Sequence, residues 1–188
     1  MPHRRPQTTE YMPHHTQYVS LVTDSVLDDL RDQRLTIPRA LRDISESDAG
    51  YRYAADKWSI REVVGHISDA ERIFQFRALV FARGDAPSLP RYAPDEYVAN
   101  SGFEGRTMQS LIDEFLAVRE STLHLFDTLE PQAWDRSGTI SGGVVSVRAM
   151  AYIAAGHAQR HLNVLYERYG IAETAPDIVS VAYLAGIR

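Results

Sequence analysis

The chain is predicted to be all-α, a four-helix bundle, on three observations. Four stretches carry apolar residues at helical spacing, capping residues and glycine or proline stops bracket them, and strand signals are few. At 188 residues one domain can bury a core without staples, and no internal repeat is visible. The expected organisation is a flexible N-terminal tail over 1–20, the bundle over 21–170 and a C-terminal extension over 171–188.

The tail is read from three prolines and the lack of any period in the first fifteen residues. His3, His14 and His15 lie in it, as solvated side chains able to chelate stray metal. The first helix is expected over 26–44, capped by Ser25, with Leu27, Leu30, Ile37, Leu41 and Ile44 inside and Pro38 kinking or breaking it. The second begins where Ser59 and Glu62 form a capping box and Trp58 can staple onto Val63. It runs through Val64, Ile67, Ile73, Phe74 and Phe81 until Gly84 and Pro87 end it. A long connection over 83–106 holds room for a short helix at 95–100.

The third helix starts after Thr107, with Leu111, Phe115, Val118, Leu125 and Leu129 on one side and a stop at Pro131. The glycine-rich segment 137–145 lacks the Gly-Lys-Ser/Thr of a phosphate cradle and reads as a loop or short hairpin. Ser146 caps the fourth helix and Gly170 closes it. The apolar stretch 178–184 beyond it is expected to be packed, either over the pocket mouth or in a subunit contact.

Composition narrows the chemistry. The chain has no cysteine, so any metal must be held by imidazole or oxygen, and any nucleophilic thiol must arrive with a cosubstrate. Twenty-five acidic against twenty basic residues give a net charge of −5, which argues against a nucleic-acid partner. No apolar run is long enough to cross a bilayer and no leader pattern opens the chain, so no membrane partner and a cytoplasmic location are expected.

The candidate site begins with His157 and His161, one helical turn apart. At about 100° per residue they lie about 40° from each other, beside the apolar stripe of Val147, Ala151, Ala154, Ala158, Leu162 and Leu165. Gln159, Arg160, Asn163 and Glu167 take the watery side. His66 is the candidate third ligand, flanking the apolar arc of Ile60, Val63, Ile67, Ala70 and Phe74. Taken alone it reads as a boundary histidine satisfied by a carbonyl or water. Beside the pair it completes a three-imidazole site, which leaves a divalent ion open positions for water or substrate. Zinc or nickel suits such ligands, with cobalt, manganese and iron as alternatives. Asp69 and Glu62 are within reach to orient the ring of His66, or else are ordinary surface charges. His124, about 140° from the centre of its helix's apolar stripe, is excluded. Glu71 falls on an inner arc and needs a partner, with Arg72, Arg77, Arg119 and Arg148 as candidates, and it reads as a structural ion pair ahead of a general base. Arg77, Tyr152 and Arg148 are candidate pocket residues without an assigned role, and no catalytic residue is named.

Two segments resemble the DinB-like superfamily. These are Lys57-Trp-Ser-Ile-Arg-Glu-Val-Val-Gly-His66-Ile-Ser-Asp69-Ala-Glu71-Arg72 and Ala155-Gly-His157-Ala-Gln-Arg-His161-Leu162. The resemblance covers 26–170, and His66, His157 and His161 fall on the family's three metal-ligand positions. It implies an up-down-down-up bundle with a long crossover, often a homodimer. Relatives include metal-dependent hydrolases of the DinB_2 type, bacillithiol S-transferases and the mycothiol-dependent maleylpyruvate isomerase. The resemblance therefore implies a metal-dependent enzyme acting on a small molecule, as a transferase with a low-molecular-weight thiol cosubstrate or as a hydrolase. The alternatives are a metal or small-ligand binding protein without turnover, such as a stress-responsive sensor, and a helical scaffold whose histidines only pack.

Overall fold

A computed structural model describes residues 4–85 and 88–173. His3, Pro87 and the apolar stretch 178–184 lie outside the described residues, as does all of the expected extension beyond 173. The described residues form six α-helices: α1 (Thr16–Val19), α2 (Val26–Leu41), α3 (Ile60–Ala82), α4 (Pro94–Ala99), α5 (Met108–Asp127) and α6 (Val147–Tyr169). α2, α3, α5 and α6 are the four bundle rods.

Their termini follow local chemistry. The Ser59 hydroxyl accepts from Glu62 N–H while the Glu62 carboxylate accepts from Ser59 N–H, the reciprocal box that starts α3. Thr107 and Ser146 cap α5 and α6, accepting from the N–H of Ser110 and Ala149. Gly170 closes α6 at φ +70°, a conformation that costs residues with a Cβ far more. Pro38 does not break α2. The helix continues one turn beyond it, to Leu41, and the Pro38 carbonyl still accepts from Arg42 N–H. What proline removes is the bond its own nitrogen would donate one turn back. Leu30, Ile37 and Leu41 are buried as expected, while Leu27 and Ile44 are half-buried.

Side-chain partners reveal helix direction. Arg31 meets Asp127 and Arg34 meets Glu120, so α2 and α5 are antiparallel. Glu71 meets Arg119 and Gln75 meets Ser121, so α3 and α5 are parallel. Trp58 O accepts from the Tyr169 hydroxyl while His66 faces His157, so α3 and α6 are antiparallel. The order is up-down-down-up, and two parallel neighbours in sequence demand a crossover. The segment between α3 and α5 supplies it, carrying α4 and a 3-10 turn at Phe103–Gly105. Phe103 pins this crossover to α3, because a Cβ on Gly65 would lie 2.5 Å from its ring. Only glycine permits that approach.

The glycine-rich segment forms a hairpin, β2 (Ser137–Ile140) with β3 (Gly143–Ser146), turning through Ser141 and Gly142 at positive φ. A third strand, β1 (Ser88–Leu89), pairs parallel with β2 through Ser88↔Thr139 and Leu89↔Ile140. Its two residues carry no alternation from which a strand could be read.

The N-terminal reading needs correction. Residues 4–20 are not a free tail but an arm laid along α6 and the hairpin. Pro6 and Tyr11 are buried, and Arg5 donates to Asp24 and to the carbonyls of Val19 and Val22. Glu10 pairs with both Arg4 and the buried Arg148. At its closest the arm rests on Gly156, where a Cβ would sit 2.1 Å from the Tyr18 carbonyl oxygen. Composition hid this, because short 3-10 turns opened by proline leave no helical period. Among the described residues no helix is long and apolar enough to cross a membrane.

Candidate metal centre

Small side chains let α6 approach its neighbours closely. Ala149, Ala151, Ala154, Ala155 and Ala158 are all buried along it, so imidazoles on α6 can reach α3. His157 points into this seam and His161 follows one turn later at its mouth. His66 projects from α3 to meet both. His66 and His157 are 3 % and 5 % exposed, and His161 is half-buried.

The Nε2 atoms of His66 and His157 are 3.2 Å apart, and one ligand-capable atom from each of the three rings lies within 4.8 Å of the others. Two nitrogens about 2.05 Å from a shared ion and 3.2 Å from each other subtend about 100°. That angle lies between octahedral and tetrahedral values, so the donor set fits a first-row divalent ion. Ring centroids 4.5–5.0 Å apart keep the third imidazole beside the other two.

Burial keeps these rings neutral, the form that binds metal. Desolvation, then the neighbouring His161, lowers the pKa of His66 to about 3. Desolvation, then Arg160, lowers that of His161 to about 4. His157 is pushed well below its ordinary value by burial and then by His161, His66 and His15. Aromatic rings collar the cluster: Trp58 lies 4.6 Å from His66, and Phe74 and Tyr18 each lie 5.3 Å from His157.

Of the two readings of Glu62 and Asp69, the structure favours ordinary charged pairs over supports for His66. Glu62 is held in the α3 capping box and by Arg52, while Asp69 pairs with Arg72. Both face charged neighbours rather than the imidazole. Glu71 does find a partner, and it is Arg119. Two bonds of 2.7 Å join its carboxylate to the guanidinium, which also donates to Gln33 and the Leu30 carbonyl. Both residues are almost fully buried, so this pair ties α3, α5 and α2 together. His124 is exposed, as expected, beside Glu120.

The three histidines stand at the floor of a cleft of 670 Å³. Its walls come from Met12, His15 and Tyr18 on the arm, Arg77 on α3, Tyr92 on the crossover and Ser141 at the hairpin turn. Of the three candidate pocket residues, only Arg77 lines it. Tyr152 is buried with its hydroxyl on the Asp24 carbonyl, and Arg148 is engaged by Glu10 and Asp135. His15 was expected to be solvated and is 9 % exposed instead. Its signal was faint: Pro13 opens a turn, and Tyr18, Val19 and Val22 then present an apolar edge.

Comparison with known proteins places this architecture. No curated protein matches the chain. Among solved structures it resembles YfiT from Bacillus subtilis, described as a probable metal-dependent hydrolase with an unusual four-helix bundle topology. That likeness has 14 % identity and a TM-score of 0.68 over 89 % of this chain and 94 % of YfiT. The DinB-like protein YjoA from Bacillus subtilis aligns with 20 % identity and a TM-score of 0.55, over 80 % of this chain and 94 % of its own. A mycothiol-dependent maleylpyruvate isomerase aligns with 13 % identity and a TM-score of 0.64, over 87 % of this chain and 67 % of its own. At such identities the likeness establishes the shared fold. The sequence profile of the DinB superfamily matches residues 29–165, which reach into all four bundle helices and include all three histidines. The chain belongs to the DinB superfamily.

Proposed function

We propose that this protein is a metal-dependent enzyme acting on a small molecule, as a low-molecular-weight thiol transferase or as a hydrolase. One observation carries the reading: neutral imidazoles from two helices converge within 4.8 Å at the floor of a cleft much larger than a hydrated ion. Three protein ligands leave coordination positions open, as in catalytic rather than structural sites. A bound divalent ion would supply Lewis acidity and lower the pKa of a thiol or water beside it.

The chain's own residues do the rest. His66, His157 and His161 hold the ion without contributing charge, so its positive charge is not cancelled by its protein ligands. Trp58, Phe74 and Tyr18 exclude water from the inner side of the site, which strengthens every charge interaction there. Having no cysteine, the chain offers no thiol of its own for group transfer. The homodimer remains an expectation of the family resemblance, and the cytoplasmic location an expectation from the sequence.

The test is tag-free protein stripped with chelator, reloaded with zinc or nickel, and assayed for turnover. Substrates would be electrophiles with bacillithiol, mycothiol or glutathione, alongside a panel of esters and amides. Turnover that requires the ion and is lost in His157→Ala supports the reading. Stoichiometric metal binding with no turnover across both panels would replace it with a binding protein.

A further inference from the structure

A guanidinium buried without a carboxylate is rare, because desolvating a charge is costly unless it is paired. Arg77 is 8 % exposed and meets no Asp or Glu within ion-pair reach among the described residues. Its contacts are a 2.8 Å bond donated to the Pro90 carbonyl and the face of Tyr92, 5.9 Å from its Cζ. Every other buried arginine in the described fold has an acid: Arg119 has Glu71, and Arg148 has Glu10 and Asp135. Arg77 instead lines the metal cleft.

Its place on α3 aims it at the site. Arg77 follows His66 by eleven residues, three helical turns, which returns it to nearly the same face about 16 Å further along the axis. Side chains on a helix lean toward its N-terminus, so the guanidinium is carried back toward the histidines. His15 stands beside this space, 9 % exposed, with a buried Nδ1 that has no hydrogen-bonding partner. Arg91 also lines the cleft, and Asp95 is the acidic side chain among the lining residues, exposed on α4. The cleft lining thus sets two arginines against a single carboxylate, on a wall that is more apolar than polar.

We propose that this cleft takes a small molecule bearing a carboxylate, which Arg77 binds through its free N–H groups while the opposite end of the molecule reaches the three histidines. His15 and Tyr92 flank the carboxylate end. A planar guanidinium matches a carboxylate through two parallel bonds, and in a sheltered cleft such charge-assisted bonds are at their strongest. This rests on the metal-centre reading for the reacting end of the molecule only. The anion end is a property of Arg77.

The test uses two probes of equal length, 6-mercaptohexanoate and 6-mercaptohexanamide, titrated by calorimetry into zinc-loaded full-length protein. The carboxylate is expected to bind at least tenfold tighter, with the preference lost in Arg77→Met and largely kept in Arg77→Lys. Equal binding of the two probes to wild type overturns the proposal whether or not any variant folds. Heptanedioate titrated into chelator-stripped protein, followed by Trp58 fluorescence, separates the two readings. Arg77-dependent binding there upholds the anion site even if the histidines bind no metal. Metal bound stoichiometrically without discrimination between the thiols overturns the anion site and leaves the metal centre standing.

Discussion

Replacing His66 with alanine is expected to weaken divalent metal binding about 10²- to 10³-fold. Zinc held by four protein ligands is bound by about 10–16 kcal/mol, so one ligand is worth about 3–4 kcal/mol, and each 1.4 kcal/mol is a factor of ten. His66 is the ligand from α3, so its loss also leaves the ion attached to one helix alone. The pH dependence sharpens the test. With the pKa of His66 at about 3 and that of His161 at about 4, and His157 also well depressed, few protons compete with the metal at pH 5.5. Three solvated imidazoles titrating near 6.5 would each lose about tenfold between neutrality and pH 5.5. Wild-type affinity should therefore stay nearly flat over that interval. Competition with a chromophoric chelator at pH 7.5 and pH 5.5, on tag-free protein, measures both effects. An unchanged affinity in His66→Ala, or a thousandfold fall for wild type by pH 5.5, would refute the convergence of these rings on one ion.

The same pKa values predict the stability of the metal-free protein. A histidine whose folded pKa lies below the unfolded 6.5 stabilises the fold fully above pH 6.5, and the contribution is lost as pH falls toward the folded value. For His66 the loss at pH 5 is about 2 kcal/mol, so urea midpoints should fall between pH 7 and 5, and less so in His66→Phe. Glu71→Ala strands the buried Arg119 and should cost about 3–5 kcal/mol, or about 10 °C in Tm for a chain of 188 residues. Metal content of the folded fraction should not change, and the joint replacement Glu71→Leu with Arg119→Met should recover most of the loss. Gly156→Ala drives a Cβ to 2.1 Å from the Tyr18 carbonyl and should cost about 1–3 kcal/mol. Hydrogen exchange should then rise over residues 4–22 and remain low in α3 and α5.

What could be read before any coordinates was whatever repeats every 3.6 residues or caps a helix. Ser59 with Glu62, Ser146 and Gly170 marked helix ends that the structure reproduces to the residue. His157 and His161 were legible because their stripe is regular, and His66 because it sits beside that pair's counterpart face. Glu71 announced its need for a partner, though which arginine answered depended on α5 running parallel to α3. The arm, β1 and the orphaned His15 were not legible. Each is ordered by contacts with distant segments, Tyr18 on Gly156 and Leu89 on Ile140, and such pairings leave no local period. The same holds for Pro38, whose propensity to end a helix was overridden by the burial of Ile37, Ala40 and Leu41 on either side of it.

The arm has a consequence for how this lineage can change its chemistry. The superfamily profile starts at residue 29, yet Met12, His14, His15 and Tyr18 form one side of the cleft. The three histidines and one wall of the chamber therefore lie in separable stretches of polypeptide. A lineage could exchange its first two dozen residues and acquire a different clientele while every histidine on α3 and α6 stays put. Two proteins sharing this bundle need not share a substrate, and trimming the chain to its matched region would keep His66, His157 and His161 while removing one side of their chamber.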